Sequence, residues 1–316
     1  MLEETKVEKP KYIVGCEEFK PDTSEMIATI DADTVAYATA SVCEAGDDEV
    51  GYTLDIDYAL EEAINRIEDI KSVTGCKDVE LHFTGGKNFR FTLTGTYKAN
   101  RKDGRTPAGL YDLKCELLKN YNGKMHTDVE ADDYVAYQKK FWPEKYIVCS
   151  PDKDVYNGVE GINFNYFKRS KGKFIKKDIP MKWVRTTSNE ALYWVHMQVL
   201  MGDSTDGILG IPRCGPAKSL DILCPSLKDK IKQYKTTYKE QNKKTIDGNK
   251  VWPLIVKKYS LVDKLDTSET KLWEKVVDAY EESGLTEKDA ILNMRLVSMN
   301  QIDKEGRLCL WTPPIQ

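Results

Sequence analysis

Apolar positions along the chain follow two alternating rhythms. Met26-Ile27-Ala28-Thr29-Ile30 is a short apolar run ending at Asp31, which predicts a buried strand. Thr34 to Ala40 then predicts a helix. From Tyr58 to Val73 the residues Leu60, Ile64, Ile67, Ile70 and Val73 recur every three to four positions, the spacing of an amphipathic helix. Val79-Glu80-Leu81-His82-Phe83 predicts a second strand, Leu110 to Leu118 and Asp132 to Phe141 two helices, and Tyr146-Ile147-Val148-Cys149 a third strand. Ile162 to Phe167 and Lys173-Phe174-Ile175 flank Lys171-Gly172 as a hairpin. From Asn189 onward the pattern is mainly helical: Ala191 to Met201, Lys218 to Leu223, Thr270 to Tyr280 and Glu287 to Val297.

Helices alternating with strands imply an α/β fold with a mostly parallel central sheet flanked by helices. The change to helix alone suggests three parts: a polar extension over 1–23, an α/β domain over 24–186 and a helical domain over 187–316. No repeat or low-complexity segment interrupts them.

Composition narrows the class only modestly. Of 316 residues, 41% are apolar and 31% charged, an ordinary soluble profile. No apolar run approaches the roughly 18 residues of a membrane span. The start, Met1-Leu2-Glu3-Glu4-Thr5-Lys6, lacks the apolar core of a signal peptide. The eight cysteines form no CxxC pair, and reduced thiols in a cytoplasm are expected. His82, His126 and His196 lack ligand spacing and are expected to be structural. The net charge of −4 argues weakly against a nucleic-acid partner, but bases concentrate in three stretches: Lys98 to Arg105, Lys168 to Lys177 and Lys228 to Lys250.

The acids are more telling. Val129-Glu130-Ala131-Asp132-Asp133-Tyr134-Val135 sets three carboxylates within four residues at a helix start. Acids in a first turn complement the helix dipole, and that accounts for most such runs. Here Asp31/Asp33, Asp152/Asp154 and Asp203/Asp206 have the same character. Asp31 and Asp152 follow strand ends, where sites form in parallel sheets, and the helix behind Glu130 starts at that same edge. Like charges about 4 Å apart repel by roughly 4 kcal/mol at an effective dielectric near 20. Acids gathered there would call for divalent cations, and all-carboxylate ligation suits hard ions rather than zinc.

Gly202-Asp203-Ser204-Thr205-Asp206-Gly207-Ile208-Leu209-Gly210-Ile211-Pro212-Arg213-Cys214-Gly215-Pro216-Ala217-Lys218 is the most specific segment. A glycine-rich turn leading into a helix that starts at Pro216 offers free N–H groups to phosphate.

The ordered set Asp31, Tyr97-Lys98-Ala99-Asn100-Arg101, Glu130-Ala131-Asp132-Asp133, Asp152-Lys153-Asp154 and Gly202-Asp203 to Lys218 resembles the 5′ nucleases, the flap endonucleases and 5′→3′ exonucleases. The likeness is nearest to stand-alone phage exonucleases and covers most of the chain. It implies a PIN-like α/β domain followed by a helix-three-turn-helix domain. It implies that Asp31, Glu130, Asp132, Asp133, Asp152, Asp154, Asp203 and Asp206 line two Mg²⁺ or Mn²⁺ sites. By the same resemblance Lys98 and Arg101 contact the scissile phosphate and Tyr97 stacks near the 5′ nucleotide, although a core role for Tyr97 is the simpler alternative. Gly210, Gly215 and Lys218 correspond to a turn that grips duplex backbone, in the family often with bound K⁺. Residues 102–128 take the place of an arch for a single-stranded 5′ end and are short for one.

The implied partners are duplex DNA with 5′ ends, nicks or flaps and RNA–DNA hybrids, in a phage-replication context within the host cytoplasm. Three departures stand out. Gly85 lies where many relatives carry an aspartate ligand, Arg213 where a glycine is common, which argues against φ > 0 there, and Ala217 where a lysine is common. A PIN-type ribonuclease acting on single-stranded RNA and a non-catalytic DNA-binding relative remain the alternatives.

Overall fold

The computed structural model describes residues 21–101, 104–166, 182–225 and 268–314. The expected α/β architecture with a central, mostly parallel sheet is what it contains. Six strands lie side by side: β5 (Asn122–His126), β4 (Asp78–Thr84), β1 (Ile27–Asp31), β6 (Tyr146–Cys149), β7 (Gly161–Asn165) and β8 (Lys182–Thr186). All neighbours pair parallel except β7 with β8. All five residues of β1 are buried, as the apolar run Ile27-Ala28-Thr29-Ile30 requires at the centre of a sheet covered on both faces. Opposite Ile30 stand Leu81 on one side and Cys149 on the other.

Helices α1 (Asp33–Cys43), α2 (Ile56–Thr74) and α4 (Leu110–Asn120) share one core with the sheet, around Val35, Ile67, Leu81 and Leu117. Between β4 and α4 lies the single turn α3 (Arg90–Leu93). Helix α2 begins where the Asp55 side chain accepts from the Tyr58 N–H and ends at Gly75, whose φ of 71° closes the last turn. Helix α5 (Ala131–Phe141) packs against β1, β4 and β6.

A second core is helical. It joins α6 (Ser188–Met201), α7 (Pro216–Leu223), α8 (Glu269–Glu282) and α9 (Glu287–Val297) through Tyr193, Val199, Val276, Tyr280 and Met294. Between α6 and α7 the chain doubles back as a short antiparallel pair, β9 (Gly202–Asp203) with β10 (Ile208–Leu209). The crossing is tight: a Cβ on Gly210 would meet the Met201 carbonyl carbon at 2.2 Å and the Gly202 nitrogen at 2.4 Å. Only a residue without a side chain fits there, and that approach presents Asp203 and Asp206 together. Among the described residues no helix is long and apolar enough to cross a membrane.

Several expectations are corrected. The hairpin partner of β7 is β8, while Lys173 to Ile175 falls outside the described residues. A hairpin of β2 (Glu44–Asp47) and β3 (Gly51–Leu54) was not foreseen, nor was β5, whose Asn122-Gly123-Lys124 has no apolar alternation. Arg213 does adopt φ 57° despite its side chain. The second and third basic stretches, and all but the last three residues of the polar extension, lie outside the described residues.

Candidate metal and phosphate site

The carboxyl ends of β1, β4 and β6, the start of α5 and the β9–β10 turn converge on one cavity of about 340 Å³. Its walls carry Asp31, Asp33, Glu130, Asp132, Asp152, Asp154, Asp203 and Asp206, with Lys98, Arg101, Lys153, Thr34, Thr84 and Thr205. Seven of the eight acids that the resemblance implies as ligands thus share one wall system, although their positions span Asp31 to Asp206. The topology explains the convergence. A parallel sheet brings successive strand ends to one edge, and α5 starts at the edge where its preceding strand stops.

Crowding shows in the acid strengths. Burial, then the neighbouring Asp33 and Asp152 charges, push the Asp31 carboxyl up to about 7. Burial, then Glu130 and Asp133, raise Asp132 well above the ordinary carboxylate range against the pull of Arg90. Asp152, exposed at its surface but hemmed in by the cavity wall, is raised by desolvation and then by Asp154. Asp206 is raised by burial, with Lys98 and Arg101 opposing. Glu130 is the exception: burial favours its neutral form, yet Arg90 and Lys98 outweigh it and hold the carboxyl low.

Resident cations offset part of this charge. Lys98 Nζ bonds Glu130 and lies 4.0 Å from Asp206. The Arg101 guanidinium donates to Asp206, and Lys153 Nζ sits 2.6 Å from Asp154 and 3.6 Å from Asp203. Among the described residues eight acids and three bases line the cavity, and Lys114 on Asp33 and Arg90 on Glu130 add counter-charge from behind its wall. Among the described residues no three acids, histidines or cysteines stand grouped as a ready-made metal cage, and several of the cavity carboxylates are paired with bases. The donor set is nevertheless all oxygen, which fits a hard divalent ion once those bases turn away.

Two sequence expectations change. Asp133 does not face the cavity. Its carboxylate is fully buried and held by Arg90 from both nitrogens, at 2.6 and 2.7 Å, and it accepts from the Glu130 N–H at 3.0 Å. Adjacent positions on a helix point about 100° apart. Asp132 therefore enters the cavity and Asp133 the core, which removes Asp133 from the candidate ligands. Tyr97 is also buried, at 2% exposure, so its ring offers no face to a nucleotide. Its hydroxyl donates its one hydrogen to Glu130 Oε2 at 2.7 Å and lies 3.3 Å from Asp206 Oδ2, so it sits between two of the site's acids.

Other groups lie outside the ligand set that the resemblance implies. Asp33 lines the cavity, its carboxylate held by the Thr84 N–H at 3.0 Å and Lys114 Nζ at 2.6 Å. Its pairing with Asp31 was the available signal. Thr84 rather than Gly85 reaches the cavity from β4; the Gly85 N–H instead bonds the His126 carbonyl. Arg90 gave no signal, being a lone base in a mixed segment. On the α7 side, Gly215 and Lys218 are exposed at the helix start, whereas Gly210 serves the close backbone crossing. His82, His126 and His196 are all buried.

No family model matches the chain. Sequence comparison makes it a homologue of phage exonucleases and bacterial 5′–3′ exonucleases. It is 25% identical over 268 residues to the exodeoxyribonuclease of Enterobacteria phage T3 and likewise to the exonuclease of Escherichia phage T7, covering 80% of each chain in both cases. A 5′–3′ exonuclease of Buchnera aphidicola is 28% identical over 179 residues, 52% of this chain and 58% of that protein. Among solved structures, a T5 5′-exonuclease with bound zinc matches at TM-score 0.45 and 17% identity, over 85% of this chain and 99% of that one. The catalytic core of Rad2 in complex with DNA substrate matches at TM-score 0.44 and 12% identity, over 87% and 93%.

The two neighbouring aspartates should separate experimentally. Asp133→Asn breaks a buried ion pair and is expected to cost about 3–5 kcal/mol in urea unfolding. Asp132→Asn removes a crowded charge and should leave the metal-free protein as stable or more so; equal losses at both positions would contradict the assignment. A pH trend follows as well. Asp31 rises from an ordinary 3.8 to about 7 in the folded state, so between those values the folded chain holds its proton more tightly than the unfolded chain. In EDTA, stability should therefore increase as pH falls through about 7 and level off near about 4. A melting temperature that drops steadily over that descent would refute the crowding.

Proposed function

We propose that this chain is a divalent-metal-dependent nuclease that hydrolyses phosphodiester bonds from the 5′ ends of duplex DNA. The observation that carries the reading is the cavity in which eight acids from four separate stretches of the chain meet Lys98 and Arg101. The homologues named exodeoxyribonuclease and 5′–3′ exonuclease support the same activity. Action at nicks and flaps, and on RNA of RNA–DNA hybrids, belongs to the proposal, as does a setting in the host cytoplasm.

In this reading Asp31, Glu130, Asp132, Asp152, Asp154, Asp203 and Asp206 hold two Mg²⁺ or Mn²⁺ ions, and Asp33 joins them from the first turn of α1. Bound divalent ions supply an activated water and neutralise the leaving oxygen. The protein's own part is positional and electrostatic. Lys98 and Arg101 exchange their present carboxylate partners for the scissile phosphate, where their charge counts most as negative charge develops. Tyr97 and Arg90 keep Glu130 in place while those bases move. The exposed N–H groups and Lys218 at the start of α7 contact duplex backbone, a contact that reads shape rather than sequence. K⁺ at that turn is part of the same proposal. So is the division of labour: residues 24–186 as the catalytic part, and 187–316 as a helix-three-turn-helix part that grips DNA.

A 5′-labelled nicked duplex tests the proposal. Mg²⁺ or Mn²⁺ should support release of short 5′ products and EDTA should stop it. Asp132→Ala and Asp152→Ala should abolish cleavage by at least about 100-fold while duplex binding survives. Equal cleavage in EDTA and Mg²⁺, or cutting confined to single-stranded RNA, would overturn it.

A further inference from the structure

Lys139 lies two turns along α5 from Asp132 and is 1% exposed. Its ammonium donates to the Val155 carbonyl at 2.9 Å, the Val159 carbonyl at 3.2 Å and Asn163 Oδ1 at 2.9 Å. Those bonds use all three of its hydrogens, and none goes to a carboxylate. Burying a cation without a charged partner costs several kcal/mol. Burial accordingly pulls the group down to about 7, with Glu160 opposing through space. An apolar residue would pack α5 against the sheet more simply, as Val135 does on the same helix.

The backbone also makes room for this lysine. Gly161, at φ 132°, lies over its stem, and a Cβ there would meet Lys139 Cγ at 2.8 Å. All three acceptors belong to the stretch that follows β6. Val155 sits in the 3₁₀ turn Asp154–Tyr156, Val159 in the loop behind it and Asn163 in β7. That stretch begins with Asp152, Lys153 and Asp154, three residues of the cavity wall. Its far side is tied to the helical core instead, where the Gly158 N–H bonds the Ala191 carbonyl and Asn157 Nδ2 bonds Gln198. Lys139 is thus a tie from this stretch to the helix that carries Asp132.

We infer that Lys139 is a positioning residue: its buried ammonium fixes the Asp152–Asp154 segment against α5, so that these acids and Asp132 face one another across the cavity. A single nitrogen with three hydrogens can gather three carbonyl-type oxygens from both ends of one loop, which no apolar side chain can do. The inference rests on the metal-dependent reading above.

Mn²⁺ binding, followed by electron paramagnetic resonance alongside the melting temperature, tests it in the full chain. Lys139→Met keeps the length of the stem and removes the donors. At a temperature where circular dichroism shows the variant folded, Mn²⁺ should bind at least about 10-fold more weakly, as expected when a residue supporting metal ligands is lost. Asn163→Ala removes one acceptor and keeps the lysine; its loss should have the same direction and be smaller. If Lys139→Met does not fold, Asn163→Ala decides alone. A lower melting temperature with unchanged Mn²⁺ affinity overturns the inference and leaves the metal-dependent reading standing. Absence of Mn²⁺ binding by the unaltered protein overturns both.

Discussion

The structure turns on mutual repulsion among carboxylates at the carboxyl edge of one sheet. Eight acids line a cavity that holds three bases, and burial weakens the water screening that would make such crowding tolerable. A fold keeps an arrangement of this kind only if something else is stabilised by it or neutralises it. The raised carboxyl pKa values of Asp31, Asp132, Asp152 and Asp206 come first from desolvation in that cavity and, for Asp31, Asp132 and Asp152, next from neighbouring acids. Glu130, lowered by Arg90 and Lys98, marks where the protein has supplied its own counter-charge.

The neutralising groups fall into two kinds. Arg90 is permanent. Its guanidinium bonds both oxygens of Asp133, the Leu296 carbonyl at 2.7 Å and the Ser298 carbonyl at 3.2 Å, so it joins the start of α5 to the end of α9 beneath the cavity. Tyr97 works similarly, packing in the helical core while its hydroxyl reaches Glu130 and Asp206. The sheet and the helical core are therefore stitched together at the site itself. Lys98, Arg101 and Lys153, by contrast, reach Glu130, Asp206 and Asp154 from partly exposed positions on the cavity wall.

Much of this was legible in the sequence because periodicity reports burial directly. Strand β1, helix α2 and helix α5 follow from apolar spacing, and the site edge follows from acids placed after strands. Edge and hairpin strands were not legible. Asn122 to His126 is half-exposed and polar, so it pairs through backbone bonds that no side-chain pattern records. Asp132 and Asp133 could not be told apart by residue type, since one step around a helix separates cavity from core. Tyr97 looked like a stacking residue for the same reason that it is a good core residue: a large ring with one polar end. Lys139 and Arg90 were invisible because a buried base is defined only by partners distant in sequence.

Anomalous diffraction from crystals soaked in Mn²⁺ tests the central claim most directly. The account predicts manganese peaks inside this cavity, coordinated by oxygens of Asp31, Asp132, Asp152 and their neighbours, with Lys98 and Arg101 withdrawn from Glu130 and Asp206. Manganese bound only elsewhere, or an empty cavity with those ion pairs intact at saturating Mn²⁺, would contradict it.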